Sequence, residues 1–350
     1  MTLPSVLSGS EHSTSNVQRS TFNGHGGWTL NVWPKAITAA ERARRIVRWL
    51  GLVLLLSAVA GCSVKKFGIN KLGDALAGGG ATFASDDDPD LVMAALPFSL
   101  KLIESLLTES PRHKALLLAA CSGFAQYSYA FVVQEADEKE DSDLAAAEAL
   151  RARAKRLYLR ALGYGLRGLE LKHADFVRAL RADPKATVRI AQRPDVPLLY
   201  WTAVAWGGAI SIAKDDPALV ADQVIVEALI DRALELDADF ERGAIHGFLI
   251  NYEMARQGVQ GDASARARVH FEQALRLSDG QLASPLVGFA EAVCVQKQDR
   301  KEFQSVLRRA VAIDPDAHPD WRLQNLVAQR RARWLLGRMD ELFLGGDPNQ

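Results

Sequence analysis

Apolar residues recur at three- and four-residue intervals through most of the chain from residue 62 to 340. Ala, Leu, Arg and Glu dominate, and alternating β-branched runs are few. That period belongs to amphipathic helices, and those residue types favour them. The pattern predicts helices over 66–77, 89–108, 112–137, 142–170, 173–182, 196–214, 218–236, 240–257, 262–278, 284–297, 299–313 and 320–337. Proline marks the boundaries. Asp88-Pro89, Asp183-Pro184, Asp216-Pro217, Asp314-Pro315, Ser110-Pro111 and Ser284-Pro285 each set a capping side chain before a residue suited to the first helical turn. An all-α chain follows.

Short loops between helices of this length predict antiparallel hairpins stacked in order, and a weak repeat runs through them. Ala267, Phe271 and Ala274 share their offsets with Phe303, Leu307 and Ala310, and Pro315 follows five residues on. Val287, Ala290 and Cys294 take the first-helix positions of the same frame. Val226, Ile230 and Ala233 repeat the pattern, as do Ala154, Tyr158 and Ala161. Small residues let helices approach, while Phe, Tyr or Leu fills the adjoining hole. The distance from Ala233 to Ala274, 41 residues, exceeds the roughly 34-residue tetratricopeptide frame. Ordinary helical packing could produce any one match. Together they predict a right-handed array of degenerate tetratricopeptide-like hairpins, forming one domain over 89–340 with a flexible tail at 341–350.

Upstream, Arg42, Arg44, Arg45 and Arg48 precede the apolar run Leu50–Ala60, which ends on Val59-Ala60-Gly61-Cys62. A basic segment, a short apolar segment and small residues before a cleavage point read as an export signal over 41–61. The run is shorter than the roughly 20 residues that span a bilayer. Its Val-Ala-Gly-Cys ending looks like a bacterial lipobox, which makes Cys62 the lipidated first residue of the mature protein. A short buried helix with an incidental cysteine is the alternative. Residues 1–40 are rich in Ser, Thr, Asn and Gly and read as disordered or as an extension before the true start, with a non-Met start near Val32. Residues 62–88 read as a linker with a short helix.

Charge sharpens this picture. Residues 1–61 hold six Lys/Arg and two Asp/Glu of the 42 of each in the chain, leaving 36 basic and 40 acidic residues, a net of −4. Such a surface gives no footprint for nucleic acid. No phosphate loop, His-Glu-x-x-His, Gly-x-Ser-x-Gly elbow or zinc-ligand spacing is present. No catalytic residue, metal or cofactor is predicted. Asp86-Asp87-Asp88 reads as a helix cap. Cys121 and Cys294 read as small core residues, with a Cys121–Cys294 bridge as the alternative. Glu104 and Glu135 are the carboxylates a helical hydrolase would use, yet neither has a recognisable partner. Two aromatic clusters remain, one with Tyr127, Tyr129 and Phe131, the other with Tyr200, Trp201 and Trp206. Trp201 and Trp206 diverge by roughly 140° around a helix, so both cannot enter one narrow seam. The clusters either fill the centre of the array or line an apolar channel with sparse polar groups.

Several segments resemble the TRAP-transporter T-component family of TatT-like lipoproteins. They are Asp87–Val92 through Ala95–Phe98, Leu100–Leu107, Tyr127–Phe131, Arg153–Ala161, Pro197–Trp201 and Trp206-Gly207. The resemblance implies a periplasmic helical lipoprotein with a central pore through the protomer, oligomerising as a trimer. It also implies a partner, the solute-binding subunit of a tripartite ion-driven transporter, with apolar small molecules as suggested ligands. It supplies no catalytic residues. Ser63 after Cys62 favours the outer membrane. A general tetratricopeptide-like scaffold for envelope assembly is the rival reading.

Overall fold

The computed structural model describes residues 39–49, 70–76, 78, 80–256 and 258–344. The chain divides into two units, Met1–Val59 and Ala60–Gln350. In the first, residues 39–49 form an exposed helix. Cys62 and the apolar run before it lie outside the described residues, as does the extension at 1–38. The second unit contains α1 (Gly80–Ala84), α2 (Pro89–Glu109), α3 (Lys114–Tyr127), α4 (Gln134–Lys139), α5 (Leu144–Glu170), α6 (Phe176–Ala182) and α7 (Pro184–Val188). Then come α8 (Val196–Ile212), α9 (Pro217–Ala221), α10 (Gln223–Leu236), α11 (Ala244–Ala255), α12 (Ala263–Leu277), α13 (Ser284–Phe289), α14 (Arg300–Ala312), α15 (Arg322–Gly337) and α16 (Met339–Leu342). No strand occurs among the described residues, and the protein is all-α.

Caps explain most of the boundaries. Asp88, Asp183 and Asp216 each accept a backbone N–H of the first turn, at 3.0, 3.0 and 3.2 Å, with proline directly after. Asp143 and Asp299 cap in the same way. Ser110-Pro111 departs from expectation. Ser110 closes α2, and α3 begins three residues later, where His113 Nδ1 accepts from Leu116 N–H. Asp314-Pro315 starts no helix, since the Asp314 carboxylate folds onto Asp316 N–H in a turn. Helix α3 runs into α4 through a π-helical segment, Ser128–Val133, and α13 runs into a second one, Ala290–Cys294. Pro89–Glu109 and Lys114–Lys139 are each long and apolar enough to cross a membrane, yet here they pack on one another as a hairpin.

All fifteen anchor residues of the five sequence matches are buried. Two cores result, one spanning Val92 to Tyr252 and one spanning Ile250 to Phe343. In the first, α3, α5 and α8 meet at Gly165, where a Cβ would stand 2.3 Å from Thr202 Oγ1 and 2.9 Å from Cys121 Sγ. Gly208 on α8 likewise leaves room for the Tyr158 ring. Glycine is required at both positions because helix backbones this close leave no volume for a side chain. Cys121 and Cys294 are buried free thiols, so no bridge joins them. Residues 341–344, at the start of the stretch read as a tail, are fastened. Phe343 packs on Phe303 with ring centres 5.0 Å apart, and Gln298 bonds the backbone of Leu342 and Leu344.

The last long helix returns to the first ones. Helix α15 packs on α1 and α2, and Arg322 Nη1 donates to Ser85 O at 2.8 Å. Arg330 pairs with Glu138 at 2.7 Å, Arg331 with Asp137 at 2.9 Å, and Arg338 with Asp141. These bonds join residues nearly 200 positions apart and bind the end of the array to its beginning. Their weights differ. Arg331 is 12% exposed and also bonds Glu291 at 2.6 Å, whereas Arg330 is 53% exposed. Removing one partner of a buried pair strands the other charge, while an exposed pair contributes little. Urea unfolding of Arg331→Ala should show a loss of about 2–4 kcal/mol. Arg330→Ala should lose less than about 1 kcal/mol. Equal losses would mean the clasp does not rest on Arg331.

Candidate functional site

One face of α3 carries small and polar residues in an otherwise apolar helix. Ala115, Leu118, Ser122 and Gln126 repeat every three or four positions and line a cavity of about 440 Å³. Pro197 and Trp201 of α8, with Glu241 and Asp74, complete its wall. A second cavity of about 360 Å³ lies at the far ends of the same two helices, beside Val133, Asp137, Ser211 and Ile212. Fourteen residues separate Pro197 from Ser211, about four helical turns, which returns to the same face. The same interval leads from Ala115 to Tyr129. The helical run from α3 through the π segment into α4, together with α8, thus lines both cavities.

Tyr129 is 50% exposed overall, while burial around its hydroxyl raises the phenol above the ordinary value. Tyr129 lies in the first π segment and Glu291 in the second, and the Glu291 charge reinforces the shift at Tyr129. Arg331 joins Glu291 and Asp137 here. Burial raises the Glu291 carboxyl, although the Arg331 guanidinium opposes it. π-Helical turns re-aim side chains relative to the α-helix and recur at functional sites.

The aromatic residues divide between core and void. Trp206 is 1% exposed, lies under the Arg181 guanidinium and leaves its indole N–H without a partner among the described residues. Tyr127 and Phe131 are buried with ring centres 5.7 Å apart, and Arg153 donates to the Tyr127 hydroxyl. Tyr200 is buried between Trp201 and Phe240, at 4.9 and 5.4 Å. Trp201 is half-buried and lines the first cavity, while Tyr129 reaches open space. Sequence reasoning missed Glu241, Glu291, Arg331, Ser122 and Gln126. The small and polar stripe on α3 was readable from its period, whereas the others meet through contacts distant in sequence.

Glu241 is the most unusual group at the site. Glu241, Arg242 and Gly243 follow one another in left-handed backbone, at φ 43°, 54° and 97°. Only glycine adopts that region without steric cost. The Glu241 side chain is exposed to solvent, yet burial raises its carboxyl above the ordinary 4.5 and no partner offsets the shift. The raised pKa means that ionised Glu241 opposes folding. The penalty is absent below about pH 4 and complete once pH exceeds the folded pKa. Thermal unfolding should give Glu241→Gln a higher midpoint than the parent near pH 7.5 and an equal one near pH 4. A lower midpoint at both would mean the carboxylate has a stabilising partner.

The two carboxylates considered for hydrolysis are otherwise engaged. Burial pushes the Glu104 carboxyl up, but hydrogen bonds from Lys101 and Tyr164 and the Arg160 charge hold it below the ordinary range. Glu135 pairs with Lys139. Among the described residues no group of three or more His, Cys, Asp or Glu could hold a metal ion. A protein of Treponema pallidum (strain Nichols), described as uncharacterized, is 29% identical over 303 residues, covering 81% of this chain and 94% of the relative. Residues 85–343, nearly all of the second unit's described helices, match the family described as TRAP transporter T-component. T-components are non-catalytic and associated with the cell envelope. This chain belongs to the TRAP transporter T-component family.

Proposed function

We propose that this T-component is a periplasmic scaffold, held to the outer membrane through lipid on Cys62, that docks the solute-binding protein of its transporter. A small ligand passes along the void between α3 and α8. The observation that carries this reading is that α8 and the helical run from α3 into α4 line two cavities, the first walled by Trp201 and Glu241. The cavity volumes fall within or near the range of small-molecule sites, and the lining mixes apolar area with sparse polar groups. Leu91 and Phe98 on α2 are 58% and 74% exposed, which favours self-association through that helix. The stacked hairpins supply the tetratricopeptide-like frame.

Two experiments test this. A pull-down from envelope extract with the full chain should recover a periplasmic solute-binding protein. Recovery of outer-membrane assembly proteins alone would favour a general scaffold. The void is tested by Tyr129→Cys in a Cys62→Ser background, with Cys121 and Cys294 buried and unreactive. Small methanethiosulfonate reagents should label Cys at 129 and bulky ones should not. Labelling by neither would close the void, and rapid labelling by both would put Tyr129 on the outer surface.

A further inference from the structure

The two cavities differ in charge. The one beside Tyr129 toward α4 carries Asp137, Arg151, Lys214 and Asp215, a balanced set in which Arg151 bonds Asp137 at 3.2 Å. The cavity at the other end is lined by Asp74 and Glu241, and no Lys or Arg among the described residues lines it. Asp74 lies 3.3 Å from His113 Nε2. Glu241 has no hydrogen-bond or ion-pair partner among the described residues and sits beside an aromatic group. Trp201 lines the same wall, Tyr200 stacks edge-on against it, and the Glu241 charge adds to the burial that raises the Tyr200 phenol.

We infer that the cavity formed by Trp201, Gln126, Ser122 and Glu241 binds the ammonium group of an organic cation whose apolar tail extends along the α3–α8 void. This rests on the channel reading above and names the chemistry of its ligand. The Glu241 carboxylate supplies the opposite charge, and the Trp201 face attracts a cation within about 6 Å of its ring. The side-chain oxygens of Ser122 and Gln126 on the same wall add partial negative charge around the ammonium. With two carboxylates and no cation in the described lining, a carboxylate or phosphate headgroup is disfavoured here. Ala115, Leu118, Ala119 and Pro197 of the same lining supply apolar surface for a hydrocarbon tail. Left-handed backbone at Glu241 and Arg242 aims a charged side chain into a space where no described protein group compensates it, as expected when the missing partner is a ligand.

The test is calorimetric titration of the purified full chain with three probes of one tail length, octyltrimethylammonium, octanoate and octanol, each below its micelle threshold. Octyltrimethylammonium should bind most tightly. Glu241→Gln should weaken it by about tenfold or more while leaving octanol unchanged. Trp201→Phe should weaken it a few-fold through the poorer cation–π face. Octanoate binding as tightly as the ammonium probe would overturn the inference. So would equal loss of all three probes in Glu241→Gln, or failure of the ammonium probe to bind. Labelling at position 129 separates the two levels. If the small reagent still reaches it, only the ligand chemistry has failed; if it does not, the channel itself has.

Discussion

The bond between Arg331 and the pair Asp137 and Glu291 is the constraint on which the rest depends. A stack of helical hairpins is open at both ends and has no intrinsic reason to stop or to return. Here the last long helix contacts the first ones, and Arg331 reaches a carboxylate in α4 and another in the second π segment. Closing a loop of almost 200 residues adds little more entropy cost than closing a short one. What it needs is a contact specific enough to select one register. A guanidinium with two directed carboxylates provides that, and stacking of Arg331 and Arg338 on Trp334 fixes the angle of the helix.

A cavity between packed helices must be kept open against the hydrophobic effect, which favours filling it. Ala115, Ala119 and Ser122 put small side chains on the cavity wall, where larger ones would fill the space. Gly165 and Gly208 bring α5 and α8 together on the opposite side, so that tight packing in the core offsets the looser packing around the void. Trp206 is packed on that side and Trp201 on the inner one. Their roles differ although they lie five residues apart.

Much of the fold was legible in the sequence. The helical period gave most elements within a few residues, because caps such as Asp88, Asp183 and Asp216 act locally and carry their own chemistry. The anchors Ala267, Phe271 and Ala274 were readable because small and large residues must alternate where helices cross. The site was less legible. Tyr129 and Trp201 could be named as aromatic, but which side of the helix each occupied depended on a π turn and on glycine contacts with another helix. Arg331 and Glu291 have no local signature, since their partners lie 40 or more residues away. Left-handed backbone at Glu241 contradicts the preference of the residue itself, so nothing in its type announces it.

The buried carboxylates sort by what each is for. Burial raises Glu253 and Asp195, but arginines 256 and 266 in one case, and Gln192 N–H with lysines 172 and 114 in the other, more than reverse it and hold both low. Such groups stabilise the fold above the ordinary carboxylate range, and their contribution is lost as pH falls. Glu241 and Glu291 shift the other way, so their ionisation opposes folding as pH rises. A group that serves only stability has no reason to sit where it costs stability. Glu291 is accounted for by closure, since Arg331 needs it. Glu241 has no such partner among the described residues, and its uncompensated carboxylate on left-handed backbone beside Trp201 is the feature from which the proposed cation site was inferred.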